Sequence, residues 1–261
     1  EVICIDDASC DGSGDILENF RNSEPRLRII ENNRDFGAAY SRNKGILAAN
    51  GKFLRFVDAD DLLPLESTQM MYETAVEDDV DLVRGSLSIF DDDKPKDYHT
   101  IIAVPRRKQT EFSREECLWI PWWHTSYLIS AELVHRNKLK YPRLTRGEDP
   151  VFMTSVLLRS RYISLVEDVV YQYRKYPKTS GSIGSTTKNV RDTFKHATIT
   201  KQLFCEADPR YWDQGYGPFL LHDVRKFLNT CQLNEKTWQF VDSEAKKIWG
   251  VDTLKKPILE D

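Results

Sequence analysis

The sequence has no apolar run approaching the ~18 residues that a membrane-crossing helix requires. Its first residues lack the basic, then apolar, then small-residue order of a secretory signal. There is no Cys-x-x-Cys pair. The five cysteines (Cys4, Cys10, Cys117, Cys205 and Cys231) are odd in number and widely scattered, which argues against zinc or redox work and fits reduced thiols in a cytosolic setting. Positive charge is not in excess either: a formal net charge of -4 argues against a general binder of nucleic acid or anionic membrane. These absences predict a cytoplasmic chain, at most peripheral at the cytoplasmic face of a membrane. What is present is enough to fold. With 261 residues, 40% hydrophobic and 11% aromatic, the chain can bury a substantial core.

The first half alternates strand and helix signals. Residues 2–5 read as a short strand running into a polar loop, 14–22 as a helix, 27–31 as a strand, 37–49 as a helix closed by Asn50-Gly51, and 52–57 as a strand. A helix after Pro64 to residue 76 precedes a strand over 81–88, whose alternation suggests half exposure. The acidic stretch 91–96 reads as a turn, 98–104 as a returning strand, and the basic triplet Arg106-Arg107-Lys108 as a solvated loop. Sequential βα units imply an α/β fold whose sheet is mostly parallel, with ligands outside the carboxyl ends of the strands. Beyond residue 186 the pattern changes to amphipathic helices over 188–206, 218–231 and 235–249. We therefore expect two regions, 1–185 and a helical 186–261, with the boundary near Ser185.

One stretch carries more chemistry than any other. The apolar run Phe53-Leu54-Arg55-Phe56-Val57 ends in Asp58-Ala59-Asp60-Asp61, three carboxylates within four positions. Half-buried carboxylates repel one another unless a cation or hydrogen bonds compensate. One reading is a solvated acidic turn. The other is a divalent cation, because hard oxygen ligands suit Mg²⁺ or Mn²⁺, which is usually held by one or two carboxylates plus substrate phosphates.

Three further stretches stand in order around it: Val2-Ile3-Cys4-Ile5-Asp6-Asp7-Ala8-Ser9-Cys10-Asp11, Asn33-Arg34-Asp35-Phe36-Gly37-Ala38-Ala39-Tyr40-Ser41-Arg42-Asn43, and Gly147-Glu148-Asp149. Together with Asp58-Ala59-Asp60-Asp61 they resemble the pattern of glycosyltransferase family 2, whose fold is GT-A. The resemblance covers about residues 1 to 184; the helical remainder carries no matching motif.

The resemblance implies a metal-dependent, inverting, non-processive enzyme that moves a sugar from a nucleotide donor, UDP-linked, to a hydroxyl of a glycan or glycolipid. Asp7 would contact the base, with Asp6 or Ser9 shaping its loop; the residues alone also allow either Asp to cap the helix that follows. Arg42 and Asn43 would stand at the crevice, or be an exposed helix residue and a packing residue. Asp60 and Asp58 would hold metal and ribose, with Mn²⁺ or Mg²⁺ as cofactor, and Asp61 would assist them or cap a helix. Asp149 resembles the catalytic base and Glu148 a residue that orients the acceptor, although two carboxylates before an apolar helix also suit the helix dipole. Trp122, Trp123 and His124, with Trp119 nearby, would bind acceptor or belong to the core. Arg174 or Ser180 would touch the diphosphate.

The chain departs from the family in one respect. The strand and helix that usually precede the first acidic loop are missing, so the sequence reads as a fragment without that start. No Gln-x-x-Arg-Trp marks a processive synthase. A sugar-1-phosphate nucleotidyltransferase would need a Gly-rich phosphate loop that is not seen, and a non-catalytic glycan- or partner-binding module remains the rival of another class.

Overall fold

The computed structural model describes residues 1–91, 94–175 and 187–254. The hydrophobic pattern is realised as β1 (Val2–Asp6), α1 (Ser13–Arg21), β2 (Leu27–Glu31), α2 (Ala38–Ala48), β3 (Phe53–Arg55), α3 (Ser67–Glu77), β4 (Leu82–Asp91), β5 (Lys94–Ile102) and β6 (Arg107–Thr110). Three short 3₁₀ turns lead into β7 (Tyr127–Ser130), α4 (Ala131–Arg136), α5 (Glu148–Leu157) and β8 (Ile163–Arg174). The chain continues with α6 (Thr187–Ala207), a π-helical turn at Tyr211–Tyr216, α7 (Gly217–Leu228) and α8 (Glu235–Trp249). Among the described residues no helix is long and apolar enough to cross a membrane.

The strands form two sheets. β1 and β2 pair in parallel, from Val2 opposite Leu27 to Asp6 opposite Glu31. The larger sheet runs β3-β7-β4-β8-β6, with β5 also paired to β4. The parallel pairing expected of successive βα units holds for β1 with β2 and for β4 with β8, whereas β7 lies antiparallel to both β3 and β4. The larger sheet is therefore mixed. β7 is reached through short turns, and an antiparallel neighbour needs no crossover helix.

Two local expectations change. β4 is buried along nearly its whole length, where alternation had suggested half exposure. Its polar residues face protein: Arg84 donates to the Cys117 carbonyl, and the Ser86 hydroxyl accepts from the Val104 N–H. The basic triplet stays exposed as expected, but Arg107 and Lys108 belong to edge strand β6, whose charged side chains blunt an open edge. The turn expected over 91–96 is shorter than that, since Asp91 ends β4 and Lys94 opens β5 opposite it; Asp92 and Asp93, the boundary near Ser185, and Ser180 lie outside the described residues.

One face of the larger sheet carries a core joining Leu54, Ile129, Phe152 and Val156 to Phe194, Phe204, Val224 and Val241 of the C-terminal helices. The opposite face is covered by α3, where Met71 and Ala75 meet Val83, Leu128 and Val170. At the carboxyl ends of β1 and β3 the chain turns polar, and there the acidic loops emerge.

Candidate active site

The Asp58–Asp61 loop is laced onto β8. The Asp58 N–H donates to the Tyr171 hydroxyl at 3.1 Å, and that hydroxyl donates to Asp61 Oδ2 at 2.6 Å. The Arg174 N–H donates to Asp61 Oδ1 at 2.8 Å, and Leu62 and Gln172 exchange two backbone hydrogen bonds. Asp61 is thus a buried anchor with both oxygens engaged, and burial pushes its pKa up. It does not cap α3, whose first residue follows Glu66. Arg174 donates to the Asp60 carbonyl and stacks over Phe90, holding this loop in shape.

Arg42 joins the motifs. From α2 its Nη2 donates to Asp58 Oδ1 and its Nη1 to Glu148 Oε1, each at 2.8 Å, with the guanidinium over the Tyr141 ring. Its side chain is only 17% exposed, so it is not the free surface arginine that helix pattern alone allowed. Asn43, one residue on, is a clamp: its amide donates to the Tyr141 carbonyl and accepts from the Tyr141 N–H. That pairing places Tyr141 under Arg42 and directs the Asn43 amide to backbone instead of a ligand.

Glu148 and Asp149 open α5, where two carboxylates complement the helix dipole. Burial raises the pKa of Glu148, the negative charge of Asp149 adds to this, and Arg42 opposes both. For Asp149, burial pushes up, but the His124 imidazole, Arg42 and His196 outweigh it and hold the carboxyl below its usual range. His124 Nδ1 lies 3.6 Å from Asp149 Oδ2.

The first acidic loop is separately knotted. Asp7 accepts from the Asn32 amide at 2.7 Å, the Phe36 N–H at 3.1 Å and the Gly37 N–H at 2.7 Å, so it closes the 32–37 turn. Burial alone would raise its pKa, yet these donors lower it. Asp6 Oδ1 accepts from the N–H of exposed Ser9. Neither Asp caps α1, which begins after Gly12 without a side-chain cap.

The tryptophans divide. Trp119 is buried and donates to the Phe112 carbonyl, a core role. Trp122 is half-buried, donating to the Tyr216 hydroxyl at 2.8 Å and packing edge-on against Phe219. Trp123 is half-buried against Tyr173. His124 is 3% exposed, so it has no surface to offer an acceptor from solvent.

Several supporting residues carried no motif. The Tyr216 hydroxyl, which accepts from Trp122, is hydrogen-bonded to His196 Nε2 at 2.7 Å, and burial pushes the His196 pKa down to about 4, so the ring is neutral. Gly147 has φ +84°, and a Cβ there would stand 2.3 Å from His196 Nδ1. Thr145 is held by Asp192 and Asn189, and Arg146 by Asp223 at 2.8 Å. The one sequence signal for them is a polar row (Asn189, Asp192, Thr193, His196 and Thr200) on the buried face of α6. Tyr141 left no such trace, whereas Tyr171 stands in the Tyr171-Gln172-Tyr173-Arg174 stretch that resembles the family's Tyr-x-Tyr-Arg.

The cation expected at Asp58 and Asp60 meets a suitable but incomplete donor set. Among the described residues no group of three His, Cys, Asp or Glu side chains is placed to hold a metal by itself. Asp61 is engaged elsewhere, Asp58 has one oxygen on Arg42, and the exposed Asp60 carboxylate enters no hydrogen bond or ion pair among the described residues. Two open carboxylates fit Mg²⁺ or Mn²⁺, which keeps waters and takes further oxygens from substrate phosphates.

The sequence profile of Glycosyl transferase family 2 matches residues 1–131, half of the chain. The chain belongs to glycosyl transferase family 2. Among the relatives of this family-2 chain, glycosyltransferase GlyG of Streptococcus pneumoniae is 27% identical over 198 residues, covering 71% of this chain and 64% of the relative. The putative glycosyltransferase EpsH of Bacillus subtilis is 29% identical over 181 residues, 67% of this chain and 52% of the relative. The chain therefore spans less than two thirds of the length of these relatives. Its fold is that of GT-A transferases. The crystal structure of S. aureus TarS 1-349 in complex with UDP-GlcNAc superposes with a TM-score of 0.66 at 18% identity, covering 94% of this chain and 76% of that one. Mannosyltransferase PcManGT from Pyrobaculum calidifontis, in complex with GDP-Man and Mn²⁺, gives 0.55 at 16% identity, covering 95% and 70%.

Proposed function

We propose that this chain transfers a sugar from a nucleotide-diphosphate donor, UDP-linked, to a hydroxyl of a glycan or glycolipid, non-processively and with inversion at the anomeric carbon. The observation that carries this reading is the Arg42 bridge, which ties Asp58 of the Asp-x-Asp loop to Glu148, the neighbour of Asp149. A donor-side carboxylate and an acceptor-side base thereby share one wall. The UDP-GlcNAc and the GDP-Man with Mn²⁺ held by the two similar folds support the donor class and the cofactor.

In this reading Asp149 takes the proton of the acceptor hydroxyl as that oxygen bonds to the anomeric carbon. The bond from that carbon to the donor phosphate oxygen breaks, and its electron pair leaves with the nucleoside diphosphate. A single displacement inverts the centre. A lowered pKa suits Asp149 to this task, since it is ionised at neutral pH. Glu148, fixed by Arg42, orients the acceptor, and half-buried Trp123 offers it an aromatic face. Asp58 and Asp60 would hold Mn²⁺ or Mg²⁺, which neutralises charge growing on the departing diphosphate. Asp7, with Asp6 and Ser9, shapes the loop that receives the base. The reaction belongs to the cytoplasm or to the cytoplasmic face of a membrane.

The test is a thermal-shift screen of the chain against nucleotide sugars in Mn²⁺. A donor at a hundredfold its Kd stabilises by about 2.7 kcal/mol. Asp60→Ala should melt like the parent without ligand, because its side chain is exposed and unbonded, and should lose the Mn²⁺-dependent shift. Absence of any nucleotide-dependent shift in the parent would overturn the reading. Asp149→Asn should keep the donor shift and abolish transfer.

A further inference from the structure

His124 is the described histidine with no hydrogen-bond partner on either buried ring nitrogen. Leaving a buried imidazole in that condition is destabilising. The polar atom it faces is Asp149 Oδ2, 3.6 Å from Nδ1. Its ring is wedged edge-on between Phe56 at 5.6 Å and Tyr141 at 5.7 Å, which limits its rotation. The backbone before it is also set: Trp123 has φ +64°, an uncommon conformation for a bulky residue, and its carbonyl accepts from both the N–H and the hydroxyl of Ser126. Two independent features thus aim this ring at the carboxylate.

Most of the other groups around Asp149 are occupied. Arg42 on α2 is bonded to Asp58 and Glu148, Glu148 on α5 repels it, and His196 on α6 gives its Nε2 to Tyr216. Arg146 is paired with Asp223, and the buried Tyr141 hydroxyl beneath Arg42 has no hydrogen-bond partner of its own. Among the described residues near Asp149, His124 is the histidine whose two ring nitrogens are both buried without a hydrogen-bond partner, and its Nδ1 faces the carboxylate.

We infer that His124 is a positioning residue for Asp149: its Nδ1–H turns one carboxylate oxygen inward and leaves the other aimed at the acceptor hydroxyl. This rests on the reading of Asp149 as the base. At 3.6 Å the contact is longer than a hydrogen bond. A small carboxylate rotation closes it when substrates bind, as catalytic hydrogen bonds often tighten only in the complex. A donor on Oδ2 also favours the ionised form, so the base stays unprotonated at lower pH.

The test pairs two substitutions with one measurement on the parent. His124→Phe keeps the ring and removes the donor, while His124→Asn places an amide N–H near the position of Nδ1. With UDP-GlcNAc and Mn²⁺, UDP release by His124→Phe should fall about tenfold or more in kcat with donor KM within about twofold. The acid limb of its pH profile should move to higher pH, and its melting temperature should not fall, since an unpartnered polar group has been removed. His124→Asn should restore most of the rate and return the acid limb toward the parent position. In ¹⁵N-histidine spectra of the parent, His124 should carry its proton on Nδ1, and that signal should respond to Asp149→Asn. An Nε2–H tautomer indifferent to Asp149→Asn overturns the proposal, as does a His124→Phe enzyme with parental rate and acid limb. Transfer retained by Asp149→Asn would instead remove the base reading and leave the tautomer result standing.

Discussion

Arg42 donates to Asp58 and Glu148 at 2.8 Å each, so its removal leaves two half-buried carboxylates facing one another. Arg42→Ala should destabilise by about 2 kcal/mol in urea titration, below the 3–5 kcal/mol of fully buried pairs because Asp58 remains in contact with solvent. Arg42→Lys should recover part of the stability, yet not the two-ended bridge, since an ammonium lacks the fork. His196 makes a pH prediction. Its folded-state pKa of about 4 lies below the ordinary 6.5, so above pH 6.5 both states are neutral and nothing is lost. As pH falls from 6.5 toward 4 the unfolded state takes a proton that the folded state refuses, and stability drops by on the order of 3 kcal/mol. His196→Gln should flatten that part of the pH–stability curve. The carboxylates of Asp58, Asp60 and Asp61 were legible in sequence because charges clustered at a strand's end need a reason, whereas Arg42, inside α2, was singled out only by the family resemblance. The engagement of Asp61 by Tyr171 and of Asn43 by Tyr141 was not, since partners 110 and 98 residues apart leave no spacing to read.

The loop before α5 is the element on which the proposed chemistry turns. Thr145, Arg146 and Gly147 are each fixed by a different residue of α6 or α7: Asp192, Asp223 and the His196 ring. A side chain at 147 would need an unfavourable positive φ and would strike that ring. Gly147→Ala should therefore cost more than 1 kcal/mol in thermal unfolding and lower turnover further than donor affinity. Asp192→Ala frees Thr145 and should slow transfer while the donor-induced thermal shift persists. Most elements follow from periodicity: the helix expected over 235–249 spans Glu235–Trp249. β6 does not, because four residues beginning Arg107-Lys108 have no apolar pattern and become a strand only by pairing with β8. β4 was misread for the opposite reason. Its Arg84, Ser86 and Ser88 mimic a solvent face while lying buried, two of them hydrogen-bonded to backbone.

Across the whole molecule, one buried cluster runs from Leu54 and Phe152 through Phe194 and Phe204 to Val241. We propose that the regions divided near residue 185 depend on one another, with the helices completing the core of the sheet and bracing the base. Residues 1–185 expressed alone should bind a hydrophobic dye, lose near-ultraviolet circular dichroism and fall to protease, whereas 1–261 resists. Independent folding of 1–185 with donor binding intact would refute that dependence. The sequence by itself determined the α/β class, the order of the elements up to β5, the three C-terminal helices and the acidic strand end at Asp58–Asp61, because periodicity and charge at element ends are local properties. Only the tertiary structure decided which strands run antiparallel, that Arg42 closes Asp58 onto Glu148, and that His124 faces Asp149. Those are contacts between residues distant in the chain, and their energies exist only once the intervening segments have packed.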